Sequence, residues 1–313
     1  MLGGKIAFGL PIEFSINIQY ILYHYFIILI INKLLKIAIK LTIYVNKITE
    51  HIEKNKSVTL FIIINLGGII MAIKIYNLRK EYKDVVAVND LSLDIKEGEL
   101  FSLLGVNGAG KTTLIKMLST LTSPTSGDAY IYGNSIINDT NKVKELIDIS
   151  MQETAIARKL TVEENIEFYA ELNGQSKDEI NESKKNIYEA FELYKVKNKI
   201  ASKLSGGWQR KLSIALALVA KPKVLFLDEP TLGLDVIARR ELWKTIKSLK
   251  GKMTIILTTH YMEEAEVLSD RIGIMKDGNL LFVGSKKELY KQTNTNSVED
   301  SFINIVTGGD LNV

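Results

Sequence analysis

The distribution of apolar and polar residues along the chain changes near residue 71. Before this point, runs such as "ILYHYFIILII" and "SVTLFIIINLGGII" show no period that would separate two faces of a helix or strand. After it, apolar stretches alternate with glycine-containing loops in an order that predicts strand, loop and helix in turn. The change divides the chain into an apolar N-terminal extension, residues 1–70, and a second domain, residues 71–313.

The N-terminal extension is a poor match to a transmembrane anchor. A membrane helix needs about 20 apolar residues in succession, and the first run is interrupted by His24, Asn32 and Lys33. The extension also lacks the basic start and small-residue cleavage site of a signal peptide. We interpret it as a mis-assigned start, with synthesis beginning at Met71. The stretch "MAIKIYNLRKEY" already predicts the first strand of the second domain, and the codons of two upstream glycines could contain a ribosome-binding sequence. A membrane anchor is the alternative.

A phosphate-binding loop is predicted by "GELFSLLGVNGAGKTTLIKMLSTL". An apolar strand ends at a glycine, a glycine-rich loop follows, and a helix begins at Lys111. Gly108 and Gly110 would let backbone N–H groups approach phosphates, Lys111 would supply a positive charge, and Thr112 would offer its hydroxyl to Mg²⁺. The residues predicted to hold a nucleotide here are Gly105, Asn107, Gly108, Ala109, Gly110, Lys111, Thr112 and Thr113.

Three further strands are predicted to deliver polar side chains to the same edge of the sheet. The apolar run in "KPKVLFLDEP" ends at Asp228 and Glu229, where Asp228 would hold Mg²⁺ through water and Glu229 would polarise the water that attacks the γ-phosphate. The strand "MTIILTTH" ends at His260, which could contact the γ-phosphate or hold the glutamate in place. Gln152 follows the strand-like run "IDIS" and could coordinate Mg²⁺ through its amide oxygen.

A second anion-binding site is predicted in "ASKLSGGWQRKLSIALALV". Ser205, Gly206 and Gly207 form a short loop that runs into an amphipathic helix. Unpaired N–H groups and the helix dipole both favour an anion at a helix start. One chain thus carries two such sites, although a nucleotide needs only one.

Composition excludes several other classes of function. The net charge of +4 comes from 40 Lys and Arg residues scattered among 36 Asp and Glu residues, so no basic arm for nucleic acid is present. The absence of cysteine excludes disulfides and thiolate metal sites, and three histidines leave little material for a histidine metal cluster. We therefore expect no nucleic-acid partner and no redox chemistry.

Taken together, these motifs resemble those of the ATP-binding-cassette ATPases. "GVNGAGKTT", Gln152, "LSGGWQR", "VLFLDEP", "TLGLD" and His260 occur in the order and approximate spacing of that family, from Met71 to the end of the chain. Within the family, "LTVEENIEFYAEL", "THYMEEAEVLSDRIGIMKDGNLLFVGS" and "SVEDSFINIVTG" are similar to the ATPase subunits of drug-resistance and ABC-2 type exporters. Val106, Trp208 and Val236 depart from residues common in the family, but none of them removes a functional group.

The resemblance implies a fold and a set of site residues. The fold would be α/β: a P-loop NTPase core with a parallel sheet flanked by helices, an antiparallel β subdomain and an inserted helical subdomain at about residues 153–205. The ligands would be ATP and Mg²⁺. Tyr82 would stack on adenine, and the loop ending at Asp235 would cross a dimer interface beside the catalytic glutamate.

The resemblance also explains the second anion site and implies two partners. In this family two cassettes pair head to tail, so Ser205, Gly206 and Gly207 would contact the γ-phosphate bound by the partner's Lys111. The partner would be a second copy or another ABC ATPase. The helical subdomain and glutamine loop would form a groove for a coupling helix of a separate multi-span permease. The chain would then act peripherally at the cytoplasmic face of the cell membrane and power export.

Two alternative interpretations remain at this point. A soluble cassette ATPase of DNA repair or translation would share the motifs. However, repair members carry long coiled-coil insertions, and translation members carry two cassettes in one chain. Here the interval between the motif clusters lacks sustained heptads, and the chain has no internal repeat. A fused half-transporter would use the N-terminal runs as membrane helices, but these are too few to line a pathway.

Overall fold

The computed structural model describes residues 70–308. The chain divides into two units, Met1–Gly68 and Ile69–Val313, and the described residues all belong to the second unit. The interpretation of the N-terminal extension as a mis-assigned start or an anchor lies outside the described residues, apart from Ile70.

The described part of the second unit alternates strands and helices. In chain order the elements are β1 (Met71–Tyr82), β2 (Val85–Lys96), β3 (Leu100–Gly105), α1 (Lys111–Leu118), β4 (Ser126–Ile131), β5 (Asn134–Ser135), α2 (Thr140–Lys144), β6 (Ile147–Ser150), α3 (Val162–Leu172), α4 (Lys177–Phe191), α5 (Gly206–Ala217), β7 (Val224–Asp228), α6 (Val236–Leu249), β8 (Thr254–Thr259), α7 (Met262–Leu268), β9 (Arg271–Lys276), β10 (Asn279–Gly284), α8 (Lys286–Thr293) and α9 (Val298–Thr307). Short 3₁₀ turns at Leu193–Val196 and Ala201–Lys203 lie between α4 and α5.

Two sheets form the framework. A four-stranded antiparallel sheet has the order β2-β1-β4-β5, and a six-stranded sheet has the order β10-β9-β3-β8-β7-β6. Strands β6, β7, β8, β3 and β9 are parallel, whereas β10 runs antiparallel to β9. The predicted fold class is confirmed, with one difference at this edge. Asp277 and Gly278 both have positive φ, the geometry of a two-residue hairpin turn, and a hairpin must pair its strands antiparallel.

The parallel strands are buried on both faces because helices cover one side and the antiparallel sheet covers the other. In β7 all five residues are buried, and alternate side chains enter different cores. Leu225 and Leu227 pack with the helices α3 to α6, whereas Val224 and Phe226 pack with the antiparallel sheet and α1. This alternation places Asp228 on the face that carries α1.

The segment that we expect to form the helical subdomain, residues 153–205, contains α3, α4 and the 3₁₀ turns. Both helices begin with a capping box, Thr161 with Glu164 and Ser176 with Glu179. Each N-cap contributes about 1 kcal/mol to helix stability. Lys184 on α4 joins the two helices through hydrogen bonds to two glutamates on α3.

Helix α5 differs from its prediction. It begins at Gly206, so Gly206 and Gly207 lie in its first turn and not in a loop before it. Residues 210–217 are buried on all sides, whereas an amphipathic helix would be buried on one face only. The polar residues in this stretch have internal partners, such as Ser150 for Ser213 and Glu241 for Lys211. Among residues 70–308, no helix combines the length and apolar character needed to cross a bilayer.

Candidate active site

The turn from β3 into α1 requires glycine at two positions, Gly105 at the end of the strand and Gly110 just before the helix. A Cβ on Gly105 would lie 2.5 Å from the carbonyl oxygen of Met275, and a Cβ on Gly110 would lie 2.1 Å from that of Ala87. Gly110 also has a φ of +103° and Gly108 a φ of +83°, which side chains rarely tolerate. Around Gly108 no atom lies within 4 Å of the Cβ position, so its backbone faces open space. The loop is therefore shaped for close approach of a ligand to the backbone.

Lys111 is held at the centre of this loop. Its Nζ donates hydrogen bonds to the carbonyl oxygens of Gly105, at 2.8 Å, and Val106, at 3.2 Å. The side chain is only 5% exposed, and burial lowers the pKa of Lys111, an effect opposed by Glu229 and Asp228. A desolvated ammonium at the start of a helix is a strong partner for phosphate oxygens.

Asp228 carries an oxygen that is suited to a cation. Its Oδ1 accepts hydrogen bonds from Thr258 Oγ1 at 2.5 Å and Thr112 Oγ1 at 3.2 Å. Its Oδ2 is buried and has no hydrogen-bond partner among the described residues. Magnesium usually keeps several waters and takes one or two protein oxygens together with phosphates. The arrangement of Asp228, Thr112 and the nearby Gln152 fits such an ion.

Glu229 lies immediately after β7 in a strained conformation. Its φ of +47° falls in the left-handed region, which raises the free energy of a non-glycine residue by about 1 to 3 kcal/mol. Its N–H donates to both the carbonyl oxygen and the hydroxyl of Thr258, each at 3.1 Å. This backbone turn points the carboxylate back over the loop, with Oε1 3.8 Å from Lys111 Nζ and Oε2 3.3 Å from His260 Nδ1.

A cleft of about 440 Å³ brings most of the predicted residues together. It is lined by the loop and the start of α1, by Gln152, Glu229 and His260, and by further residues that the sequence did not indicate. The lining residues are Val85, Ala87, Asn107, Gly108, Ala109, Gly110, Lys111, Thr112, Thr113, Gln152, Glu229, Leu232 and His260. Gly105 lies behind the loop, where its carbonyl anchors Lys111.

The predicted second anion site is separate from this cleft. Ser205, Gly206 and Gly207 are not among the residues that line it. Ser205 occupies the N-cap position of α5 but its side chain accepts no capping hydrogen bond, and Ser205 and Gly206 are exposed. The described chain therefore presents two helix starts for anions, α1 inside the cleft and α5 outside it.

Two predicted residues have surroundings that the sequence did not reveal. Tyr82, at the end of β1, is 46% exposed and lies under the ammonium group of Lys80, outside the cleft lining. Asp235 caps helix α6, because its Oδ1 accepts from the N–H groups of Ile237 and Ala238, both at 2.9 Å. Contacts of Tyr82 with adenine and of Asp235 with a second chain remain predictions.

Sequence reasoning missed two residues that hold the site together. Thr258 could have been found from register, because a strand that pairs with β7 must place one residue opposite Asp228. Arg210 had no such signal, because its guanidinium contacts the backbone of Gln152 and Glu229, which are far from it in sequence.

The site combines a glycine loop after β3, a histidine after the neighbouring strand β8, and a carboxylate pair at the end of β7, one strand further on. These features define a P-loop nucleotide hydrolase. Comparison with known proteins gives the family. A family model described as ABC transporter matches residues 88–232. The chain is similar to cbiO1 from Clostridium perfringens, part of the ABC transporter complex cbiONQ, with a TM-score of 0.66 and 30% identity over 71% of this chain and 91% of that one. The chain belongs to the ABC transporter family and is an ATP-binding-cassette ATPase.

Other similarities extend this assignment. The dimeric post-hydrolysis structure of the ATP-binding cassette MJ0796, bound to ADP and Pi, has a TM-score of 0.61 and 28% identity over 68% of this chain and 98% of that chain. Phospholipid-transporting ATPase ABCA3 from Homo sapiens is 44% identical over 221 residues, which are 69% of this chain and 13% of that protein. The chain spans 13% to 26% of the length of the first curated relatives that it matches.

Proposed function

We propose that the chain hydrolyses Mg²⁺-ATP in the described cleft as the motor subunit of a transporter, paired head to tail with a second cassette. The observation that carries this proposal is the position of Glu229, whose carboxylate lies between Lys111 and His260 over the glycine loop. A carboxylate in that place can reach a water molecule next to a phosphate held by the loop.

Each residue of the cleft has a role in this proposal. The loop amides and Lys111 bind the β- and γ-phosphates, and Tyr82 stacks on adenine. Thr112 and Gln152 would hold Mg²⁺ directly, and Asp228 would hold it through water. The ion supplies positive charge that offsets the negative charge of the phosphates during transfer.

Hydrolysis needs a base and a fixed direction of attack. Glu229 accepts a proton from water as the water oxygen forms a bond to the γ-phosphorus and the bond to the β–γ bridging oxygen breaks, leaving ADP. His260 Nδ1 lies 3.3 Å from the carboxylate without a hydrogen bond to it, so a small rotation would let His260 hold Glu229 toward the water or contact the γ-phosphate. The backbone conformation of Glu229 limits the directions that its carboxylate can take, so little reorganisation is needed once the site is closed.

The second anion site gives a reason for pairing. In a head-to-tail dimer, Ser205, Gly206 and Gly207 of one chain would complete the site around the γ-phosphate held by the other. Loss of that phosphate would remove the bridging charge and let the chains separate. The loop that ends at Asp235 would lie at this interface. The dimeric structure of MJ0796 supports the pairing of two chains.

We further propose that dimer opening drives a separate multi-span permease that exports a substrate, while the chain stays peripheral at the cytoplasmic face of the membrane. The helical segment at residues 153–205 would receive the permease's coupling helix. Similarity to a phospholipid-transporting ATPase supports a transport role. The permease would select the substrate, and multidrug export is one form that this role could take.

A Glu229→Gln variant tests the assignment of the base. Glutamine keeps the shape of the side chain but cannot accept the proton, so the variant should bind Mg²⁺-ATP, stop hydrolysing it and elute as a dimer in size-exclusion chromatography. Lys111→Ala should lose ATP binding and remain monomeric under the same conditions. Wild-type turnover by Glu229→Gln would show that another group is the base.

A further inference from the structure

The buried guanidinium of Arg210 connects three segments that meet at the nucleotide site. Arg210 lies in the second turn of α5 and is 3% exposed. Its Nη1 donates to the carbonyl oxygen of Met151 at 2.6 Å, and its Nη2 donates to those of Gln152 at 2.9 Å and Glu229 at 3.0 Å. The planar, fork-shaped guanidinium can reach carbonyl groups on two separate segments at once, which a lysine ammonium does less well.

Arg210 bonds to backbone carbonyl groups rather than to carboxylates, and it makes no ion pair among the described residues. Two of its three hydrogen bonds go to the backbone of Gln152, the predicted Mg²⁺ ligand, and of Glu229, the predicted base. The third goes to Met151, which precedes Gln152. Burial lowers the pKa of Arg210, an effect that nearby Asp228, Glu264 and Glu229 oppose. The protein buries a full positive charge here and uses it to hold backbone groups in place.

The contact with Glu229 completes a clamp on its strained peptide units. Thr258 on β8 binds the N–H of Glu229, and Arg210 on α5 binds its carbonyl oxygen. The carboxylate direction depends on both contacts because the φ of +47° is not a favoured conformation for glutamate. A shift of α5 would therefore move the carboxylate relative to Lys111 and His260.

The second anion site lies at the start of α5, just before Arg210. Ser205 is the N-cap, and Arg210 follows five positions later, about 7.5 Å along the axis at a rise of about 1.5 Å per residue. A helix transmits a displacement along its axis as a rigid unit. In the proposed dimer, Ser205 at the start of α5 would contact the partner's nucleotide. Arg210, little more than one turn further on, contacts Gln152 and Glu229 of its own chain.

We propose that Arg210 is a positioning residue that couples the two nucleotide sites of the dimer: engagement of Ser205 by the partner's γ-phosphate sets, through α5 and Arg210, the placement of Glu229 and Gln152 in the same chain. The proposal rests on the head-to-tail dimer of the proposed function. It predicts that each site hydrolyses ATP well only when the other site is also closed, which gives cooperative dependence on ATP concentration.

The first test replaces Arg210 with Lys and Gln, with Arg271→Lys as the matched control. Like Arg210, Arg271 donates to a backbone carbonyl oxygen, and it also bonds to a carboxylate. It lies at the start of β9, where the parallel strands begin, whereas the cleft lies where they end. Both Arg210 variants should lower kcat by about tenfold or more, because small misplacement of a reacting group is costly. Their affinity for a fluorescent ATP analogue should change less than about threefold, and the Hill coefficient for ATP should fall toward one. Arg271→Lys should keep the wild-type kcat and Hill coefficient.

The second test is a double-mutant cycle between Ser205→Ala and Arg210→Lys. If Ser205 affects Glu229 through Arg210, the second substitution should add little, and the kcat of the double variant should be close to that of the single variant with the lower kcat. A loss equal to the product of the single losses would overturn the coupling, as would a wild-type Hill coefficient in Arg210→Lys. Failure of both Arg210 variants to fold would also overturn it, because the residue would then be structural.

Failure of the proposed function would give a different result. If the Glu229→Gln chain stays monomeric with Mg²⁺-ATP, the head-to-tail dimer itself is wrong. If that chain dimerises but the Ser205 and Arg210 losses multiply, the dimer stands and only the coupling through Arg210 fails.

Discussion

The hydroxyl of Thr258 offers a test of how the strands β7 and β8 build the site. It donates to Asp228 Oδ1 at 2.5 Å and accepts from the N–H of Glu229 at 3.1 Å. Replacement of Thr258 with Val keeps the branched shape that fits a buried strand but removes the hydroxyl. The variant therefore removes the hydrogen bond to the buried carboxylate and one of the two acceptors of the Glu229 N–H.

The expected loss can be estimated from the contacts of Asp228. The residue is 1% exposed and its Oδ2 has no partner among the described residues, so only the longer bond from Thr112 would remain. The N–H of Glu229 keeps its bond to the carbonyl oxygen of residue 258. A hydrogen bond to a charged group contributes about 1.5 to 3 kcal/mol, so we expect Thr258→Val to lose about 2 kcal/mol of unfolding free energy without Mg²⁺.

Urea denaturation followed by circular dichroism measures this loss, first with EDTA and then with Mg²⁺ and a non-hydrolysable ATP analogue. The loss should shrink with the bound ion, because the cation stabilises the carboxylate that the hydroxyl no longer supports. Thr258→Ser keeps a hydroxyl and is the matched control. The reasoning is refuted if the Val and Ser variants are equally stable in EDTA.

Two further predictions concern the glycine loop and a helix cap. Gly110→Ala should abolish binding of a fluorescent ATP analogue, because its Cβ would lie 2.1 Å from a carbonyl oxygen; Gly133→Ala, also at positive φ but with no atom within 4 Å, should bind normally. At the start of α3, hydrogen bonds from the backbone and hydroxyl of Thr161 lower the pKa of Glu164. The stabilisation is fully present above the ordinary pKa of a glutamate and is lost as pH falls through the lowered value. The Tm difference between wild type and Glu164→Gln should follow that course, and a difference independent of pH would contradict it.

The sequence predicted the cleft well because its residues lie at strand ends. Buried apolar runs identify β3, β7 and β8, and parallel strands bring their carboxyl ends to one edge of a sheet. The sequence thus placed Lys111, Glu229 and His260 together before any distance was known. Gln152 joins them because β6 is parallel to β7.

The sequence did not reveal how these residues are held. The N-cap at Asp235 was missed, although an aspartate directly before a helix commonly binds the N–H groups two and three residues on. The burial of α5 was hidden because polar residues usually mark an exposed face, whereas here Lys211 and Ser213 find partners inside the protein. The contacts of Arg210 depend on tertiary packing between segments far apart in sequence, so no local pattern predicts them.

A mixing experiment tests the central claim, that each nucleotide site is shared between two chains, most directly. A Lys111→Ala chain lacks the phosphate-binding lysine, and a Ser205→Arg chain has a blocked second anion site, so neither should hydrolyse ATP alone. In a mixed head-to-tail dimer both defects fall in one site and the other site is intact. Equal mixing should recover ATPase activity of at most about one quarter of wild type, since half of the dimers are mixed and each has one intact site. If the intact site also needs the other site to close, the recovered activity should be about tenfold lower but still above that of either variant alone. Absence of recovery, with mixed dimers detected by differential tags, would contradict the shared site.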